Sequence, residues 1–283
     1  LFLDPLTVNM TFSGLSSTNS GTNGIWLDGV SGNLTVTGTT TSNNAGGHGI
    51  LIENSDGTFN FNDINVDTPG ADGIHINNTP SATINFNGTT TIQGTTGDGI
   101  DLSSAGGGVT FSTTSISGAG ADGINMSNAT GTYAFGGTTI NGFEATNVGI
   151  NFAGAAADVT FGVTDIGNGG VGTAIDLSST TGNHNISFAT GSSIHDVALG
   201  VQLSSSNTNA TSANATFAFG DSNAGNGLGS SINATTTVNA IGLNPTLGTY
   251  NFDDVTFTGT ANLPSSAGAS LFVSATATNG VGD

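Results

Sequence analysis

The sequence predicts an all-β chain, a right-handed parallel β-helix (β-solenoid) of about ten coils, each of about 25 residues with three short strands. Three observations carry this reading. A Gly-Ile-x-Leu-like motif recurs, two further strand-like segments follow each copy, and signals for long helices are missing.

The motif appears as Gly24-Ile25-Trp26-Leu27, Gly49-Ile50-Leu51-Ile52, Gly73-Ile74-His75-Ile76 and Gly99-Ile100-Asp101-Leu102. It continues as Gly123-Ile124-Asn125-Met126 and Gly149-Ile150-Asn151-Phe152, with degenerate copies at Ala174-Ile175-Asp176-Leu177 and Gly200-Val201-Gln202-Leu203. Successive starts lie 24–26 residues apart. The second segment carries apolar residues two apart, as in Phe59/Phe61, Ile84/Phe86, Val109/Phe111, Tyr133/Phe135, Val159/Phe161, Ile186/Phe188 and Phe217/Phe219. The third is Thr-Thr-Ile-like, around Ile64, Ile92, Ile116, Ile140, Ile166 and Ile194. Alternation with period two, β-branched residues and flanking Gly, Asn, Asp or Ser mark each segment as a strand. Strong helix formers are few, and Gly, 46 in number, is too frequent for long helices.

Stacking the coils pairs each strand in parallel with its equivalent one repeat later, about 4.8 Å away. The rest of the coil supplies the long crossover that parallel pairing needs, and such crossovers are right-handed. Alternate side chains then point inward in columns, one of them Ile25, Ile50, Ile74, Ile100, Ile124, Ile150, Ile175 and Val201. The repeated Gly falls at corners, where positive φ or close backbone approach excludes other residues. Outward Asn, Ser, Thr and Asp are placed to form hydrogen-bonded ladders.

The chain reads as one solenoid domain over 1–283, with an incomplete first coil at 1–22 and regular coils at 23–219. An irregular loop or insertion is expected at 220–248, and terminal coils or a docking segment at 249–283. The start, Leu1-Phe2-Leu3-Asp4-Pro5, has no initiator Met, basic n-region or apolar h-region, as in a processed product or a fragment.

Composition narrows the function. Only 7% of residues are charged, against roughly 25% in ordinary globular proteins. The chain has 283 residues, no Lys or Arg, 19 Asp plus Glu, and a net charge of -19. Nucleic-acid binding rests largely on cationic contacts to phosphate, so nucleic acid is excluded as a partner. Anionic membrane surfaces are excluded likewise, and there is no apolar run long enough to insert into a membrane. The 16 Phe and an apolar fraction of 35% supply a core and oppose disorder. The lack of any tryptic site suits a secreted, extracellular or cell-surface protein.

Segments such as Asp98-Gly99-Ile100-Asp101-Leu102-Ser103-Ser104 and Thr132-Tyr133-Ala134-Phe135-Gly136-Gly137-Thr138-Thr139-Ile140 resemble the pectin-lyase-like parallel β-helix repeat. In style they are similar to the Gly/Thr/Asn-rich repeats of secreted bacterial surface proteins and autotransporter-type passengers. The resemblance covers roughly residues 9–220. It implies adhesion, matrix or fibre roles, and in other members of the fold the cleavage of acidic polysaccharides.

The enzymatic relatives imply residues that can be sought here. Their lyases use a basic residue, and this chain has no Lys or Arg. Their glycosidases use clustered Asp with a Gly-His-Gly and a basic clamp. Gly47-His48-Gly49 and the pair Asp253-Asp254 match parts of that set, but lie in different coils and lack the clamp. Two carboxylates acting on a glycosidic bond need to face one cleft roughly 5–9.5 Å apart. The expectation is therefore a non-enzyme, with a polysaccharide hydrolase or a glycan-binding tailspike-like protein as the alternative.

Just before the repeated Gly runs a column of Asn23, His48, Asp72, Asp98 and Asp122. Stacked in register, Asp72, Asp98 and Asp122 come about 5 Å apart, where like charges repel. Either each Asp caps its own turn by accepting backbone N–H bonds, or the row collects a hard cation such as Ca2+. No cofactor is otherwise expected. An adjacent outward column holds His75, Asp101, Asn125, Asn151 and Asp176, and His75 reads there as a surface-ladder residue. The sole Trp, Trp26, is outward too, either free to stack on a sugar or covered by the N-terminal segment.

No polar cap is evident at either end. Head-to-tail assembly is expected, with Met10 and Phe12 pairing against Leu271, Phe272 and Val273 of a neighbour. The expected partners are further copies of the chain, further repeats of the same parent chain, or surface glycans. The expected role is an extracellular structural or adhesive solenoid: a surface fibre, filament subunit or adhesin stalk, self-assembled and cation-bridged.

Overall fold

The computed structural model describes residues 1–169, 171–177, 184–204, 216–220, 230–234, 241–244, 249–253, 255–258 and 272–274. Side chains are described within 1–169, 171–177, 184–202 and 217–219. All regular structure among these residues is β-strand, and every strand pairing is parallel. The chain is a parallel β-solenoid of about eight turns of ~25 residues. That is fewer than the ten expected, and it matches the eight copies of the Gly-Ile motif. The first face still counts ten strands, because the two-residue strand Phe2–Leu3 and the strand Ile241–Asn244 extend it at either end.

Each coil contributes one strand to the first face. Its motif residues pair as Ile25↔Ile50↔Ile74↔Ile100↔Ile124↔Ile150↔Ile175↔Val201. All of these side chains are fully buried. A second inward column, Leu27, Ile52, Ile76, Leu102, Met126 and Phe152, is equally closed to solvent. The other two faces share one continuous sheet. In three coils a single strand runs around the corner between them, at Thr83–Gln93, Gly108–Ser117 and Thr132–Asn141.

Aromatic residues fill the second face. Phe61, Phe86, Phe111, Phe135, Phe161 and Phe188 form one stack, with successive ring centroids 4.4–5.4 Å apart and planes within 14° of parallel. The strand spacing sets this separation, and the in-register pairing forces identical rings onto one another. The third face differs from the sequence reading in one column. Ile64 pairs with Thr90, while Val66 takes the place above Ile92. The buried column beside the Ile residues is otherwise Thr40, Thr90, Thr114, Thr138 and Thr164. One apolar residue every two positions fits either register locally, so only the neighbouring strands decide it.

The corners separate two uses of special residues. Gly49, Gly73, Gly99 and Gly123 do not adopt positive φ. A methyl on any of them would lie 2.5–2.6 Å from the carbonyl oxygen of the next coil's equivalent Gly. Positive φ recurs instead at two other corners, occupied by Asn19, Asn44, Thr68, Gly94 and Gly118 and by Asn54, Asn78, Ser104 and Asn128. Asn side chains there bond from coil to coil: Asn44 Nδ2 donates to Asn19 Oδ1 at 2.8 Å and Asn78 Nδ2 to Asn54 Oδ1 at 2.7 Å. These are the polar ladders expected of stacked coils.

The stretch 220–248 carries coil strands rather than only a loop. Ser230–Ala234 pairs with Ser193–Val197, and Ile241–Asn244 pairs with Leu199–Ser204. Ile232 takes its place beside Ile194, and Ile241 beside Val201, so the repeat continues although its spacing lengthens. Residues 221–229 of the expected loop lie outside the described residues.

Candidate functional site: the acidic and imidazole columns

The parallel ladder at the Gly corner leaves one amide per coil without a backbone acceptor. Gly73 N–H donates to the Asp98 carbonyl and Gly99 N–H to the Asp122 carbonyl, each at 2.9 Å, but the Asp98 and Asp122 amides have no such partner. The preceding residue in the column supplies it. Asp72 Oδ1 accepts from Asp98 N–H and Asp98 Oδ1 from Asp122 N–H, both at 2.8 Å. Asp122 Oδ1 accepts from Val148 N–H at 2.7 Å, and Asn23 Oδ1 from His48 N–H at 2.9 Å. The carboxylates thus cap the turn of the next coil, not their own. A buried amide left unpaired costs about 1–3 kcal/mol, enough to favour a short acceptor at every step of the column.

His48 performs the same service with a ring. Its Nδ1 receives Asp72 N–H at 3.3 Å and also lies 3.1 Å from Asp72 Oδ2. From the adjacent column, His75 Nδ1 lies 2.8 Å from Asp72 Oδ2 and 3.0 Å from Asp101 Oδ2. The two imidazoles lie against each other with centroids 4.5 Å apart and planes tilted by 36°. Ser103 Oγ donates to both oxygens of Asp101 at 2.8 Å and fixes that carboxylate. His48, Asp72 and His75 each offer one donor atom, and these atoms lie within 4.8 Å of one another.

The electrostatics follow from this packing. Burial pushes the Asp72 carboxyl up, but bonds from His48, His75 and the Asp98 amide outweigh it and hold the group well below the usual carboxylate range. Burial disfavours the His75 cation, yet Asp101 and Asp72 outweigh it and raise the imidazole to about 9. Asp98 has no such cation. Burial, with the charges of Asp72, Asp122 and Asp101 added, lifts it to about 7 against the opposing Asp122 N–H bond. Burial, then Asp176 and Asp101, raises Asp122 as well, against bonds from Asn151 and Val148. The corner therefore passes from an imidazole-neutralised end to an under-compensated acidic end within three coils.

Two features of this cluster were not read from the sequence. The sequence places His48 and His75 in separate columns, as the structure does, but shows neither their contact across the corner nor the Asp101 partner of His75. The signal was present: a residue just before the Gly and the residue three positions later share a corner, as Asp72 and His75 do. Asn151 Nδ2 bonding Asp122 Oδ2 at 2.8 Å repeats the cross-column contact one coil apart. Trp26, by contrast, is covered by the N-terminal segment. Phe2 packs on it with centroids 4.5 Å apart, and its Nε1 donates to Glu53 Oε1 at 2.8 Å.

The residues expected to mediate assembly are partly placed. Met10 is 36% exposed, whereas Phe12 packs partly buried against the core. Their strand pairs with Ser31–Val36. Leu271 and Asp254 lie outside the described residues. The backbone of Phe272 and Val273 pairs with Asn251 and Phe252 of the same chain.

Fold and corner geometry together define a class: an all-β parallel β-solenoid of stacked coils, compatible with a β-helix repeat family. No family model, no curated protein and no solved structure matches the chain.

Proposed function

We propose that the chain is an extracellular structural or adhesive module, a stiff segment of a surface fibre, filament or adhesin stalk of secreted bacterial type. The observation that carries this reading is the parallel coil-to-coil ladder, with its Phe stack running through six successive coils from Phe61 to Phe188. Each interior coil is bonded on both sides, so bending or local opening breaks pairing on two edges at once. Up to the strand Thr173–Asp176 the connections between strands stay short, as in 44–49, 94–99 and 142–147. A shallow depression over Gly94, Gly118, Gly142 and Phe143 has a single carboxylate in its lining, Glu144. The cation-free surface, with net charge -19, keeps rods apart and favours bridging by divalent cations.

Electron microscopy with calcium and after chelation, joined to reducing-sugar assays on acidic and neutral polysaccharides, tests this. Rods or filaments without sugar release are the expected result. Robust turnover that Asp254→Asn abolishes would overturn the proposal and establish the hydrolase.

A further inference from the structure

We infer that His48, Asp72, His75 and Asp101 form a binding site for one divalent transition-metal ion, which staples three successive coils together. The donor atoms are His48 Nδ1, Asp72 Oδ2, His75 Nδ1 and Asp101 Oδ2. Their successive contacts measure 3.1, 2.8 and 3.0 Å. Tetrahedral ligands bound to zinc at about 2.0–2.2 Å stand about 3.3–3.6 Å from one another. The His48, Asp72 and His75 donor atoms already lie within 4.8 Å of one another, and Asp101 adjoins them through its 3.0 Å contact with His75. Two imidazoles with two carboxylates suit zinc and its neighbours, whereas calcium takes oxygen alone.

The hydrogen bonding of the cluster is incomplete in a way that one metal ion corrects. His48 Nδ1 faces both an amide N–H and the Asp72 carboxylate. One ring nitrogen cannot both accept the amide proton and donate a proton to Asp72 Oδ2. A proton on His75 Nδ1 serves Asp72 or Asp101, not both fully. A cation at the shared centre replaces the three imidazole–carboxylate contacts, in exchange for the bond from the Asp72 amide to His48 Nδ1. The ligands are also held in place from outside: Asp72 through Oδ1 by the Asp98 amide, and Asp101 by Ser103. Such supporting bonds are the usual surroundings of metal ligands.

The other His/Asp group shows what is missing elsewhere. His195 meets Asp165 through Nε2 at 3.2 Å and Asp196 through Nδ1 at 3.1 Å. Its carboxylates lie at opposite ring nitrogens and do not converge on one point. His75 instead presents a single nitrogen to both of its carboxylates.

The column supplies its own conservative variants. Asn already caps at position 23 and already occupies the outward column at Asn125 and Asn151. His48→Asn, Asp72→Asn and His75→Asn therefore keep the polar ladder while removing a ligand. The test is calorimetric titration of the untagged, chelator-stripped chain with ZnCl2, with circular dichroism to verify folding. One Zn2+ per chain is expected, with about tenfold or greater weakening in each single variant. Loss of uptake is expected in His48→Asn/His75→Asn, and no change in His195→Asn. In the unaltered chain, zinc should shift the imidazole proton resonances of two of the four histidines. That reading stands even if a variant fails to fold. Absence of saturable uptake, uptake that survives the double variant, displacement of zinc by millimolar Ca2+, or shifts confined to other histidines would each overturn the inference.

Discussion

A methyl group placed on Gly99 would lie 2.5 Å from the Gly123 carbonyl oxygen and 2.6 Å from Ile116 Cγ2. Neither neighbour is the free end of a flexible chain: one is backbone and the other is packed in the core. Gly137 lies in the strand Thr132–Asn141, and a methyl there meets nothing within 4 Å. Gly99→Ala should therefore destabilise the solenoid by about 1–3 kcal/mol, the usual cost of overpacking. Gly137→Ala should be neutral or slightly stabilising, because it only restricts the unfolded chain. Urea denaturation of the two variants checks this, and equal effects would contradict it. The two glycines are indistinguishable by type. Their roles differ because one faces the next coil and the other faces open space.

At the scale of the element, the Phe column makes each strand dependent on its neighbours. Phe111 is 1% exposed and sits between Phe86 at 4.4 Å and Phe135 at 4.9 Å. Phe111→Ala removes both ring contacts and leaves a cavity that neighbours pinned by the ladder cannot fill. A loss of about 3–5 kcal/mol is expected. Because coils contact only adjacent coils, amide-exchange protection should fall most in the strands flanking Gly108–Ser117 and least in distant ones. Uniform loss along the rod would show that the solenoid unfolds as one unit instead. Tyr133 shows how this core tolerates a polar atom: its hydroxyl donates to the Ala105 carbonyl and accepts from Gly131 N–H at 3.1 Å. Burial of the hydroxyl, partly offset by that Gly131 bond, raises the phenol to about 12.

For the whole molecule, the acidic corner sets a pH dependence in the metal-free state. Asp98 at about 7 and His75 at about 9 both lie above their unfolded values. The folded chain then holds more protons than the unfolded chain, so stability falls as pH rises through each folded value. The contribution of Asp98 is fully present below about pH 4 and lost by about pH 7. That of His75 is present below about 6.5 and lost by about 9. Asp72 acts oppositely: its contribution is present above the ordinary carboxylate value and lost as pH falls below it. In chelator, the melting temperature should be highest in mildly acidic solution and decline towards pH 9. Asp98→Asn, which retains an oxygen for the Asp122 amide, should flatten the decline below pH 7. A melting temperature that rises from pH 5.5 to 9 would refute the assignment.

The sequence by itself determined the coil. Ile25 through Val201 are equivalent because the motif spacing is nearly constant, and parallel in-register stacking is the one arrangement that buries all of them together. The Phe column was legible for the same reason. Tertiary structure alone decided the register within irregular copies, where Val66 rather than Ile64 takes its place above Ile92. It also decided that coil strands continue at Ser230–Ala234 and Ile241–Asn244 despite lengthened spacing. Above all it decided the corner cluster. Periodicity fixes which residues share a column, but not how far a side chain leans across a corner into the next one. His48, Asp72, His75 and Asp101 belong to two columns and three coils, and they meet because the backbone turns sharply at a Gly that no side chain can enter.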